Sequence, residues 1–347
     1  MDNTERERLL ARSETDVKAA EQAVLPIIDA VRHGGDAALI SYTEQLDTAD
    51  ISGTGIAVSP AEFDRAEREL SPRIKQALDA VIANVRSYHE SQVPDAMPTK
   101  LISPGIVAGE RWTPVDRVGL YVPRGRGSFP SMLYMLAVPA VLAGVKEIAI
   151  VTPPGPDGTV DAACLYAARR CGVERIYRIG GAQAIAALVY GTETVRPVDK
   201  IVGPGSSYVA AAKRILADKA DMGLPAGPSE SMVIADGSAD AHRVALDLAI
   251  EAEHGADSQA LLVTPSQKLA EEVAMRLARI IEGAPEPRKG FLQAVFSGYG
   301  GILLTQDMDE AFEVVNSFAP EHLQIRTAAP WTSLSHISNA GEVLLGE

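Results

Sequence analysis

From residue 117 onward, short β-branched runs alternate with Ala-rich stretches of helical period, and this alternation limits the possible folds more than any other feature. Arg117-Val-Gly-Leu-Tyr-Val122, Glu147-Ile-Ala-Ile-Val-Thr152, Arg175-Ile-Tyr-Arg-Ile179 and Lys200-Ile-Val202 read as strands, with helices over 132–143, 161–171, 182–188 and 207–217. Strands that are apolar along their whole length must be covered on both faces, and parallel neighbours need a crossover of about a dozen residues, which the helices supply. The rhythm returns in Ser231-Met-Val-Ile-Ala235, Ala260-Leu-Leu-Val-Thr264 and Gly301-Ile-Leu-Leu304. The predicted class is α/β, with two Rossmann-like parallel-sheet domains, one inserted in the other, and a helical N-terminal region. The expected limits are a helical extension over 1–21, a discontinuous α/β domain over 22–120 and 230–347, and an inserted α/β domain over 121–229.

The first hundred residues read as helices. Val24, Ile27, Ile28 and Val31 form an apolar stripe that Gly34-Gly35 closes as a C-cap would, and Pro26 is expected to kink or restart this helix. Asp36 then caps a second helix. Ser59-Pro60 and Ser71-Pro72 each place serine at the N-cap and proline at the first helical position.

A formal charge of -14 opposes a nucleic-acid or anionic-membrane partner, since both need a basic face. The two cysteines, Cys164 and Cys171, are seven residues apart on one helical face, which points to core packing and a cytoplasmic location rather than a disulfide framework. No apolar run is long enough to span a bilayer, and Met1 to Arg8 has no signal core.

The adjacent Glu321 and His322 both exchange protons near neutral pH, either as a catalytic pair or on an ordinary polar surface; Pro320 before them suggests the first turn of a helix. Glu251 and His254 share a helix face, so they either hold a divalent ion such as zinc or form a solvated helix end. Three glycine-rich loops follow strands: Pro123 to Gly127, Gly180-Gly-Ala-Gln183 and Gly203-Pro-Gly-Ser-Ser-Tyr208. Each is either a tight turn or part of a nucleotide site at the carboxyl edge of a sheet. None matches the dinucleotide fingerprint, since Tyr208 stands where its third glycine would be.

Taken in order, these segments resemble the histidinol dehydrogenase family over nearly the whole chain. The resemblance rests on Ile27 to Tyr42-Thr43, Arg117 to Pro123, Gly180 to Ala186, Val198 to Gly205, Pro225 to Glu230, Glu253-His-Gly255 with Asp257-Ser-Gln259, and Phe318 to Leu323. It implies NAD-dependent oxidation of an amino alcohol to the aldehyde and then the acid, with bound zinc, in a homodimer whose sites borrow residues across subunits. It further implies His322 as the base for the hydroxyl and Glu321 as the activator of the hydrating water. Nucleotide contacts would come from Tyr121, Gln183 and Ser206, substrate contacts from Ser229, Glu251, His254 and His322, and zinc ligands from Glu251 and His254.

The chain departs from the family pattern in four places. Glu251 replaces a usual Gln, Ser206 a usual Asn, and Arg124 a usual Gly in the loop after the first strand. The family also continues past Glu347 with an Asp zinc ligand and a His and Glu that reach the partner's site, so this sequence is expected to be a piece of a longer chain. Two alternatives stay open: a relative that oxidises another small polar alcohol, and a member without catalysis. An aldehyde dehydrogenase with a cysteine nucleophile would need an exposed, activated thiolate.

Overall fold

The alternation after residue 117 forms two parallel sheets, each covered on both faces. The computed structural model describes residues 17–94, 97–124, 127–224 and 227–346. The expected turn at 125–126, the Pro225-Ala226 change of character and most of the 1–21 extension lie outside them. The chain divides into two compact units, one over Asp16–Ala226 and one over Gly227–Glu347.

The first unit opens with α1 (Val17–Asp47), α2 (Pro60–Glu69) and α3 (Pro72–Glu90). Ser59 and Ser71 are the N-caps of α2 and α3, as their Ser-Pro starts predict, and Glu62 closes a capping box on Ser59. Pro26 does not interrupt α1. The break falls at Gly35, whose φ of 54° and ψ of -136° lie outside the helical region. A side chain there would also strike the Glu193 carboxylate, so glycine is needed for space as well as for conformation. An antiparallel hairpin, β1 (Thr99–Ser103) with β2 (Ile106–Gly109), follows; the helical reading of this region did not anticipate it.

Then come β3 (Arg117–Tyr121), α4 (Pro130–Leu142), β4 (Glu147–Val151), α5 (Ala162–Cys171), β5 (Ile176–Tyr177), α6 (Gly181–Tyr190), β6 (Lys200–Val202) and α7 (Ser207–Ile215). The sheet order is β5-β4-β3-β6, all parallel. Strands this short contribute few ladder bonds. Leu120, Ile150 and Ile201, all fully buried, each add about 1.5–3 kcal/mol by leaving water. One face packs on α2 to α5 and the other on α1, α6 and α7.

The second unit runs β7 (Glu230–Ala235), α8 (Ala241–Ala252), β8 (Gln259–Thr264), α9 (Gln267–Gly283), α10 (Arg288–Ser297), β9 (Gly301–Leu304), α11 (Met308–Phe318), β10 (His322–Arg326), α12 (Pro330–Leu334) and β11 (Glu342–Leu345). Its order is β11-β10-β7-β8-β9, again parallel. Counted from β3 in the first unit and from β7 in the second, the sheets follow the doubly wound orders 3-2-1-4 and 3-2-1-4-5.

Two expectations need correction. Residues 22–120 fall in one compact unit with 121–224, because α1 to α3 cover the faces of the sheet that β3 belongs to. And Glu321-His322 opens a strand, not a helix. His322-Leu-Gln-Ile-Arg326 alternates with period two, and Leu323 and Ile325 are wholly buried. Among the described residues no helix is long and apolar enough to cross a membrane.

Candidate active site

The sequence-predicted residues gather in two places. Tyr121, Gln183 and Ser206 stand at the carboxyl edge of the first sheet. Ser229, Glu251, His254, Glu321 and His322 stand at the amino edge of the second.

The first place lies where the strand order of the first sheet reverses, between β3 and β6. Ligands of open parallel sheets bind at this switch point. Gly203 follows β6 with a φ of 112°, and a Cβ there would lie 2.1 Å from the Tyr121 carbonyl, so only glycine lets the two strand ends close. The buried Tyr121 hydroxyl accepts from the Gly181 amide at 3.0 Å, and burial pushes its pKa up to about 12. Gln183, fully buried in the first turn of α6, has neither side-chain amide atom paired. Ser206 caps α7 without a side-chain bond to it. Unpaired polar groups beside helix amino ends suit a phosphate-bearing ligand, and the residues present therefore fit a dinucleotide. Lys213 of α7 donates to the Gly203 carbonyl at 2.6 Å, with burial lowering its pKa to about 8. Sequence reasoning passed over it because nothing local marks a lysine that turns inward.

The second place is built by register. Leu323 and Ile325 face one side of the second sheet, so His322, Gln324 and Arg326 face the other, toward α8. Arg326 pairs with Asp247 of α8. Glu251, one turn beyond Asp247 on α8, lies on the same helix face. His322 stands in the field of Glu251. Parallel pairing sets Glu342 directly beside His322. Its Oε2 lies 2.8 Å from His322 Nδ1, while Glu321 Oε1 lies 3.8 Å from Nε2. Glu321 Oε2 also accepts from the Glu230 amide at 3.4 Å. Ser229 ends just before β7 at the same edge, its carbonyl accepting from the Gln259 amide.

Glu342 was not singled out from the sequence. Only the pairing of β10 with β11 reveals it. Burial alone would depress His322, but the Glu342 hydrogen bond and the charges of Glu251 and Glu321 outweigh it, so its pKa is raised. Burial also raises Glu251, with Glu321 and Glu342 adding to it and His322 and His254 opposing. The carbonyl end of α8 points at the same edge and adds further negative potential. The place therefore favours a cationic group.

Glu251 and His254 suit a zinc ion in donor type, with His254 Nδ1 3.9 Å from Glu251 Oε2. Among the described residues, however, no set of three His, Cys, Asp or Glu groups comes together to hold a metal. These two donors fit part of a coordination sphere. Cys164 and Cys171 are buried, and burial drives each thiol up to about 11, the reverse of an activated nucleophile.

A family model described as histidinol dehydrogenase matches residues 10–347. A "Histidinol dehydrogenase homolog" of Rhizobium meliloti (strain 1021) is 51% identical over 99% of this chain and 75% of its own length. A "Histidinol dehydrogenase" of Synechocystis sp. is 48% identical over 98% of this chain and 78% of its own length. The crystal structure of histidinol dehydrogenase from Elizabethkingia anophelis superposes with a TM-score of 0.94 at 33% identity, covering 100% of this chain and 79% of that one. Sequence and fold agree along the length that carries both clusters, and the chain belongs to the histidinol dehydrogenase family of oxidoreductases.

Proposed function

We propose that the protein oxidises an amino alcohol to the acid through the aldehyde, with NAD as acceptor, the substrate being L-histidinol and the product L-histidine of histidine biosynthesis. The observation that carries this reading is the His322–Glu342 pair with Glu321 and Glu251 around it. Glu342 takes the Nδ1–H and leaves Nε2 as the acceptor, which fixes the tautomer of His322. Nε2 then removes the hydroxyl proton as the carbon loses hydride. NAD, when bound, supplies the hydride acceptor in each of the two steps. Glu321, on the Nε2 side of the ring, takes a proton from the water that adds to the aldehyde, and the hydrate gives up the second hydride. The negative edge holds the substrate's ammonium group, with Ser229 beside it as a hydrogen-bonding group.

Zinc belongs to this reading through Glu251 and His254, where it would polarise the substrate oxygen. The Glu251→Ala, His254→Ala double variant is expected to lose bound zinc by elemental analysis, and retention of the metal would remove these ligands from the reading. We also read the protein as a cytoplasmic homodimer. The β1–β2 hairpin supports this, since it presents Leu101, Ile102, Ile106 and Val107 to solvent, and a single chain gains nothing from an exposed apolar edge. Light scattering at the chain's single mass would refute the dimer.

The assay is NADH formed per L-histidinol consumed by zinc-loaded protein. Two are expected. None would favour the second reading, a relative acting on another small polar alcohol, which Arg124, Ser206 and Glu251 support because all three differ from the family's usual groups.

A further inference from the structure

Asp47, the last residue of α1, is half-buried, and its Oδ2 is shut off from solvent with no hydrogen-bond partner. The charged and titratable groups that act on it are Arg124, in the loop after β3, and Tyr121, whose hydroxyl holds the Gly181 amide. Asp47 therefore stands at the same carboxyl edge as the nucleotide candidates. Thr43, one turn earlier on the same face of α1, is fully buried, and its Oγ1 also lacks a partner. Gln183 on α6, against which α1 packs, leaves both amide atoms unpaired. Buried polar groups without partners are rare in folded proteins, and a carboxylate is the most costly of them. Burial indeed lifts the Asp47 carboxyl to about 6 despite the attraction of Arg124.

In doubly wound dinucleotide sites a carboxylate beyond the second strand accepts hydrogen bonds from the adenosine ribose. Here the second strand of the unit, β4, ends in Val151 and is followed by Thr152-Pro153-Pro154, with no carboxylate. Two other acids are engaged in their own turns: Asp157, after β4, accepts from Thr159, and Asp50, three residues after Asp47, accepts from the Ser52 amide. Asp47 is left without such a bond.

We propose that Asp47 is a nucleotide-binding residue that accepts hydrogen bonds from the adenosine ribose of the dinucleotide, supplied by the N-terminal helix in place of the missing acid after β4. The assignment rests on the NAD reading above. A carboxylate suits a ribose diol, whose hydroxyls donate, and repels phosphate, which the amino ends of α6 and α7 are free to take.

The test titrates the full chain by calorimetry with NAD and with its 2′-deoxyadenosine analogue. The unsubstituted protein is expected to prefer NAD by about 10-fold or more, the size of one lost hydrogen bond to a charged group. Asp47→Asn is expected to lose a similar factor for NAD and to bind the two nucleotides alike, while its melting temperature without nucleotide stays level or rises. Equal affinity of the unsubstituted protein for both nucleotides would overturn the assignment without need of any variant. So would an Asp47→Asn protein that binds NAD undiminished, or one weakened equally for both nucleotides with the preference kept. No binding of NAD by the unsubstituted protein would instead overturn the cofactor reading, and this assignment with it.

Discussion

His322→Asn is expected to lower turnover by about 10²–10⁴-fold, the range a positioned general base contributes, with KM for NAD little changed. The substitution keeps a polar group of similar reach but removes the proton acceptor. His322 carries no core packing, so the melting temperature should hold, and a circular dichroism melt will separate lost chemistry from lost fold. The pH profile supplies an independent check. Burial works against a charged His322, yet Glu342, Glu251 and Glu321 prevail and raise its pKa. Because the base must be neutral, kcat/KM should fall as pH drops through a value above the ordinary histidine one. Glu342→Gln removes the strongest of these supports and should move that acid limb to lower pH. Unchanged turnover in His322→Asn would end the assigned role.

Glu62→Ala is expected to destabilise the first unit by about 3–5 kcal/mol, the cost of leaving a buried charge without its partner. Arg178 is wholly buried on the strand-to-helix turn after β5. Its guanidinium donates to the Gly158 and Ala57 carbonyls at 3.0 Å each and to Glu62 Oε2 at 2.7 Å, and its Nε has no partner. Glu62 also closes the capping box on Ser59, so one carboxylate satisfies both a helix end and a buried cation. The calorimetric melting temperature should drop by about 10 °C. Glu62→Ala combined with Arg178→Met should recover part of that loss, because no charge is then left buried. Burial alone would raise the Glu62 pKa, but the bonds from Arg178 and Ser59 outweigh it and lower the pKa overall. The pair therefore contributes fully above the ordinary carboxylate pKa and is lost as pH falls through the lowered folded value. A shift below about 1 °C in the single variant would refute this account.

Much of the frame could be read from local chemistry. The Ser-Pro starts of α2 and α3, the positive-φ glycine inside α1 and the four strands of the first sheet are all written within a few neighbouring residues. The β1–β2 hairpin was missed because its exposed strands carry no burial pattern. Strand β10 was misread because Pro320 looks like a helix start, although the alternation of Leu323 and Ile325 across it was available. For the catalytic candidates, residue type marked Glu321 and His322, while Glu342 carried no local mark at all.

What the sequence by itself determined was periodicity, caps and turns, since these depend on interactions a few residues apart, and the family, since several motifs recur in order. What only the tertiary structure decided was which groups face one another. Glu342 lies beside His322, Asp247 pairs with Arg326, and Asp47 comes to the edge that holds Gln183 through strand order and helix packing. Those placements follow from burial of the sheet faces. Burial is nondirectional and sums over the whole unit, so no short stretch of sequence records which distant side chain ends up next to which.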